Sequence, residues 1–202
     1  MSMDASEYLH NIYVKSQQVS PVRIRKFNRK RLLEFFAELG YTTGAEVGVA
    51  EGWFSEGMLK IIPNLKLYSI DPWSPVKENL RSKRVGKDLA QSRYENAKNR
   101  LGKYPGCVMV KNISTEAARD IEFYSLDFVY IDGAHTFDYV MEDIITWARR
   151  VRKGGIVSGH DYYRFRDAGV VQAVDLYTHM HSITEYFLTD DRTPSWFWVK
   201  ER

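Results

Sequence analysis

Ionisable residues recur in this chain where apolar runs stop. D-F-V-Y-I-D-G-A-H (127–135) carries an apolar run to Asp132 and, after two small residues, to His135. A carboxylate and an imidazole that close are the makings of a proton-transfer pair or half of a metal site. Imidazole titrates at about pH 6.5, and hard divalent cations take carboxylate oxygens. Asp-Gly is also an ordinary turn signal, so the pair counts only with what shares its place. I-V-S-G-H-D (156–161) ends on His160 and Asp161, and L-K-L-Y-S-I-D (65–71) ends on Asp71. A-E-V-G-V (45–49) holds Glu46 inside an apolar run, with Gly48 and Gly52 after it, and C-V-M-V-K (107–111) leads into Asn112 to Ser114.

The elements that must position these groups alternate. Apolar spacing predicts helices at 28–39, 53–62, 87–102, 114–121, 137–151 and 168–181, with Gly154-Gly155 capping the helix at 137–151. Strands are expected at 45–49, 65–71, 107–111, 126–132 and 156–161. A terminal hairpin is expected from S-I-T-E-Y-F-L-T (182–189) and S-W-F-W-V-K-E (195–201). Alternating strands and helices imply an α/β fold with a mainly parallel sheet, whose ligand binds beyond the carboxyl ends of the strands at the topological switch point. The ionisable residues sit at those ends.

The 202 residues suit one domain, with 44% hydrophobic and 27% charged residues. Residues 1–40 are expected to form a helical segment, a lid or a contact between two copies, ahead of a domain spanning 41–202. The net charge of +3 concentrates in R-I-R-K-F-N-R-K-R (23–31), six basic residues in nine. Such a run contacts phosphates or an acidic partner, or is the solvated face of a helix; nucleic-acid binders usually spread basicity over the domain, which favours the second. Cys107 is the lone cysteine, and M-S-M-D-A-S-E-Y lacks an apolar signal core. The expectation is a cytoplasmic protein with no membrane segment.

Gly48 and Gly52 are spaced G-x-x-x-G, not the G-x-G-x-x-G of dinucleotide sites, so no pyrophosphate is implied, and a nicotinamide oxidoreductase is disfavoured. Asp71, 19 residues after Gly52, stands where a carboxylate commonly takes ribose hydroxyls. Glu46, inside a strand, needs a donor or a cation. A nucleoside with a cationic tail and no bridging phosphates, such as S-adenosylmethionine, meets all of these.

E-V-G-V-A-E-G-W-F-S, S-I-D-P-W, Y-I-D-G-A-H-T-F-D-Y-V-M-E-D-I-I-T-W and K-G-G-I-V-S-G-H-D-Y resemble the class I S-adenosylmethionine-dependent methyltransferases. Within them the chain is similar to methyltransferase family 24, which neighbours macrolide-sugar O-methyltransferases and cephalosporin-hydroxylase-like proteins. The resemblance covers about residues 42–162. It implies a Rossmann-like, seven-stranded sheet and an O-methyltransferase acting on a small hydroxylated acceptor, sugar-like or catechol-like. It further implies that Glu46, Gly48 and Gly52 line the methionine part of the cofactor and Asp71 holds the ribose. Trp73 flanks the adenine or belongs to the core, Ser114 lies near the adenine amine, and Asp132 borders the cofactor. Asp132 and Asp161 match positions that bind Mg²⁺ in metal-dependent relatives, and His135 matches a general base. Where relatives carry two successive acids, this chain has His160-Asp161, so the site takes Mg²⁺, a softer ion such as Mn²⁺, Fe²⁺ or Zn²⁺, or no metal. The acceptor pocket is expected to draw on the N-terminal segment and on loops 74–86 and 162–168. An RNA methyltransferase and a non-catalytic cofactor-binding protein are the competing readings.

Overall fold

The computed structural model describes residues 4–14, 19–74, 86–165 and 168–201. Helix α1 (Ala5–Ile12), strand β1 (Val22–Arg23) and helix α2 (Arg29–Glu38) precede five strand–helix units. These are β2 (Thr43–Val47) with α3 (Trp53–Ile61), β3 (Lys66–Asp71) with α4 (Lys87–Leu101), β4 (Cys107–Lys111) with α5 (Ser114–Ala117) and a 3₁₀ turn, β5 (Leu126–Ile131) with α6 (Phe137–Ala148), and β6 (Val151–Gly159) with α7 (Val170–Met180). Strands β7 (Phe187–Leu188) and β8 (Trp196–Val199) close the chain.

The sheet runs β1-β7-β8-β6-β5-β2-β3-β4. Strands β2 to β6 are parallel, and β8 is antiparallel to both β6 and β7. This is the Rossmann-like methyltransferase layout with its terminal hairpin. It has eight strands rather than seven, because Val22 and Arg23 add a parallel edge beside β7. Two residues carry no periodicity, so this strand leaves no pattern in the sequence. Strand order reverses between β2 and β5, which pair directly, and the crevice of such a sheet opens there.

Period-2 alternation along β5 fills both faces of the sheet. Val129 and Ile131 pack with Ile144, Trp147, Val174 and Trp198 under α6 and α7. Phe128 and Tyr130 pack with Leu32, Phe35, Phe36 and Met58 under α2 and α3. The first forty residues therefore contribute to the main core: Phe27, Phe35 and Phe36 are fully buried. Of the basic run, Arg23 donates to the Thr189 and Asp191 carbonyls, Lys30 pairs with Glu34 at 3.1 Å and Arg31 with Glu38 at 2.8 Å. These cations serve the fold.

Helix α6 stops at Ala148, earlier than expected, and Gly154-Gly155 does not cap it. Lys200 Nζ reaches across from β8 to donate to the Ala148 and Val151 carbonyls, both at 2.7 Å, meeting the orphan acceptors of the helix end. The two glycines lie instead inside β6, where the register against β5 jumps from Leu126↔Val151 to Phe128↔Ile156. Gly154 takes φ +74 there, as the extra residues of a bulge require. No helix among the described residues is long and apolar enough to cross a membrane.

Candidate active site

The end of β2 makes one wall. Gly48 turns at φ +93, and a Cβ there would collide with the Asp132 carbonyl; only glycine lets the loops after β2 and β5 lie so close. Gly52, at φ +80, begins α3. Glu46 is buried and accepts a hydrogen bond from Ser55 Oγ. Burial pushes its pKa up to about 8, the Ser55 bond opposing this and the nearby Asp132 adding to it.

Asp71 ties the loop together from β3. Its Oδ2 accepts from Val49 N (3.0 Å) and Ala50 N (2.9 Å), and its Oδ1 from Trp73 N (2.7 Å). A carboxylate has about four acceptor sites, so these three bonds leave room for about one further donor. Trp73 is buried with Val49, Ala97 and Leu101 and donates through Nε1 to the Ala50 carbonyl at 2.7 Å. It braces the loop from the core. Ala50 and Trp73 hold φ of 48 and 40, conformations that side chains rarely adopt unless the surroundings impose them. Ser114 opens α5, donates to Asp143 and accepts from Trp147 Nε1 at 2.7 Å. Its hydroxyl is committed to α6, and Asp143, its pKa pushed up by burial to about 6, lies beside Gly133.

The second wall brings Asp132, His135, His160 and Asp161 together from the ends of β5 and β6. His160 Nδ1 lies 3.6 Å from Asp132 Oδ1 and 3.1 Å from Asp161 Oδ1, and its Nε2 lies 3.4 Å from Thr193 Oγ1. His135 Nε2 is 2.9 Å from Asp161 Oδ2 and 4.0 Å from Asp132 Oδ1. It is nevertheless out of hydrogen-bond alignment, and its nitrogen has no hydrogen-bond partner among the described residues. One ligand atom each from Asp132, His135 and Asp161 fall within 4.8 Å of one another. Two carboxylates with an imidazole nitrogen, from His135 or from His160, fit a divalent cation, and the mixed oxygen and nitrogen set fits Mn²⁺, Fe²⁺ or Zn²⁺ better than Mg²⁺. The expected set named His160; the structure brings His135 to the same carboxylates as well. Facing Asp132 and Asp161, His135 has its pKa raised to about 10. Burial works against the charge on His160, but the same carboxylates prevail and raise it to about 9. Asp161 is held well below the carboxylate range, the histidines outweighing burial.

Sequence reasoning missed Arg29. Its place in a basic run signalled a solvated helix face, yet the guanidinium turns inward. Nη2 donates to Asp132 Oδ2 at 2.6 Å, and the group lies 3.6 Å over the Phe54 ring and 4.8 Å from the Tyr130 ring centre. Arg29, Glu46, Gly48, Trp53, Phe54 and Asp132 are among the residues that border a cleft of about 300 Å³ along the first wall, which Asp132 alone of the second wall's four groups lines. Most of the expected acceptor loops, residues 75–85 and 166–167, lies outside the described residues.

The family described as a methyltransferase domain, of the family-24 type, matches residues 45–162, more than half of the chain. No curated protein matches the sequence. Cofactor-bound Rv0187 from MTB aligns over 100% of this chain and 99% of its own, at 12% identity and a TM-score of 0.60. The O-methyltransferase TomG from Streptomyces achromogenes, involved in tomaymycin synthesis and solved with S-adenosylmethionine, aligns over 85% of this chain and 79% of its own, at 15% identity and a TM-score of 0.59. A Clostridium thermocellum protein described as a candidate rRNA methylase aligns over 85% and 94%, at 10% identity and a TM-score of 0.62. At these identities the likeness to solved structures is one of fold.

Proposed function

Because the chain belongs to the class I methyltransferases, in family 24, we propose that it transfers the methyl group of S-adenosylmethionine to a hydroxyl of a small acceptor, sugar-like or catechol-like, with a divalent cation beside the acceptor. The observation behind this reading is the shared rim. Glu46 from β2, Asp132 from β5 and His160-Asp161 after β6 converge at the switch point of the sheet, beside a cleft of about 300 Å³.

S-adenosylmethionine supplies a methyl carbon that is already electrophilic, so the protein's share is to orient an oxygen and take its proton. Gly48 lets the loops after β2 and β5 close on the cleft, and Gly52 starts α3 against Leu101. Asp132 offers negative charge to a cationic tail, Glu46 adds its own once the tail displaces its proton, and Asp71 retains one acceptor site for ribose. Ser114 and Trp73 act from behind, by holding α6 and the loop after β2.

Asp132, Asp161 and His160 Nδ1 are the groups that would hold the cation, which would supply the charge that makes a neighbouring hydroxyl more acidic. His160 suits this place because its side chain is 15% exposed and Thr193 stands by its other nitrogen, an outer contact of the kind that fixes ligand tautomers. His135, with its side chain 43% exposed, faces the acceptor as the proton-accepting group. Beside the Asp132 and Asp161 carboxylates its pKa of about 10 keeps it protonated and useless as a base at neutral pH. Positive charge on those carboxylates restores its basicity, so the cation and the base work together or not at all.

The test is transfer of labelled methyl from S-adenosylmethionine to a panel of sugars and catechols, with Mn²⁺ or with EDTA. The expected result is transfer that needs the ion and is lost in His135→Ala. Label appearing only in RNA, or cofactor binding with no transfer to any acceptor, would replace this reading.

A further inference from the structure

We propose that Arg29 recognises the α-carboxylate of the cofactor's amino-acid tail, so that the site selects the intact nucleoside over its decarboxylated counterpart. This rests on the cofactor reading above and extends it to a residue outside the matched family segment of 45–162.

The tail of S-adenosylmethionine carries an ammonium and a carboxylate. Glu46 and Asp132 suit the ammonium, but neither offers positive charge to the carboxylate, and in a desolvated cleft an uncompensated anion is strongly disfavoured. Arg29 borders the same cleft. Its guanidinium is held flat against Phe54 at 3.6 Å and anchored by Asp132 at 2.6 Å, so the fork is oriented before any ligand arrives. A guanidinium has five N–H donors, and Asp132 is the acceptor its side chain finds among the described residues. Its Nε is buried with no hydrogen-bond partner among the described residues. Donor capacity is thus left over in a cleft whose other named charges are acidic, apart from Arg93, which also borders it.

The experiment is isothermal titration of the full chain with S-adenosylhomocysteine and with its decarboxylated analogue, for wild type, Arg29→Ala, Arg29→Lys and, as control, Arg93→Ala. Wild type should prefer the intact ligand by roughly ten- to a hundredfold, the range of a charge-assisted hydrogen bond. Arg29→Ala should weaken the intact ligand by that factor and leave the analogue nearly unchanged, erasing the preference. Arg29→Lys should retain part of it; loss of the preference in Arg93→Ala rather than in Arg29→Ala would move the carboxylate to the cleft's other cation and overturn the assignment. Equal affinities for both ligands in wild type would overturn the assignment while leaving cofactor binding intact. So would an Arg29→Ala loss shared equally by both ligands, which would mean that Arg29 only shapes the cleft through Asp132 and Phe54. Binding of neither ligand by wild type would bring down the cofactor reading itself.

Discussion

Replacing Glu46 with glutamine should make the protein more stable at neutral pH, with a pH dependence fixed by burial of the acid. The folded pKa is about 8 against an ordinary 4.5. Between those values the folded chain keeps a proton that the unfolded chain releases, so wild-type stability falls as pH rises. The acid costs nothing below pH 4.5, and its full penalty is reached above pH 8. At about 1.4 kcal/mol per pH unit, the penalty at pH 7 is about 3 kcal/mol. Glutamine keeps an oxygen for the Ser55 hydroxyl and has nothing to ionise. Urea unfolding of both proteins at several pH values from about 5 to about 8 isolates the effect, because other titrating groups are common to both and cancel in the difference. A difference that stays flat with pH would refute the reasoning. A cationic tail bound beside Glu46 should also expel its proton. Calorimetry in buffers of unequal ionisation enthalpy should therefore show about one proton released per ligand below pH 8 for wild type, and none for Glu46→Gln.

Gly48→Ala should destabilise by about 3 kcal/mol or more, read by chemical unfolding, since both φ +93 and the Asp132 carbonyl oppose a Cβ. Asp71→Ala frees three backbone N–H groups; it should abolish S-adenosylhomocysteine binding in calorimetry and lower stability by about 2–4 kcal/mol. Unchanged affinity would show that the loop does not depend on this tie. Asp161→Asn should cut methyl transfer while leaving cofactor affinity near wild type, and Mn²⁺ should raise the melting temperature of wild type but not of this variant. Full transfer in EDTA would remove the cation.

The parallel sheet was legible because each core strand announces itself twice, by an apolar run and by the acid that ends it, as in β3 at Asp71 and β5 before Asp132. Helix α6 was overextended because Val151 keeps the helical spacing of Val140, Ile144 and Trp147. Val151 instead pairs with Leu126 at the start of β6, and Lys200, about fifty residues downstream, caps the helix end; local periodicity carries neither contact. Asp71 had its position foreseen but not its partners, since backbone donors from a neighbouring loop leave no mark on residue types. Arg29 was hidden by its company. In a stretch with six basic residues in nine, nothing in spacing separates the one side chain that turns toward Asp132 from those that serve the surface, and only the Phe54 and Tyr130 rings beneath it decide the matter.

The joining of α2 to the cleft through Arg29 bears on how far the protein can be cut down. A fragment starting where the family match starts would retain Glu46, Asp132 and Asp161 but discard the guanidinium that balances them, together with Phe35 and Phe36 from one side of the sheet. Engineers seeking a minimal catalytic unit should therefore leave the leading segment attached.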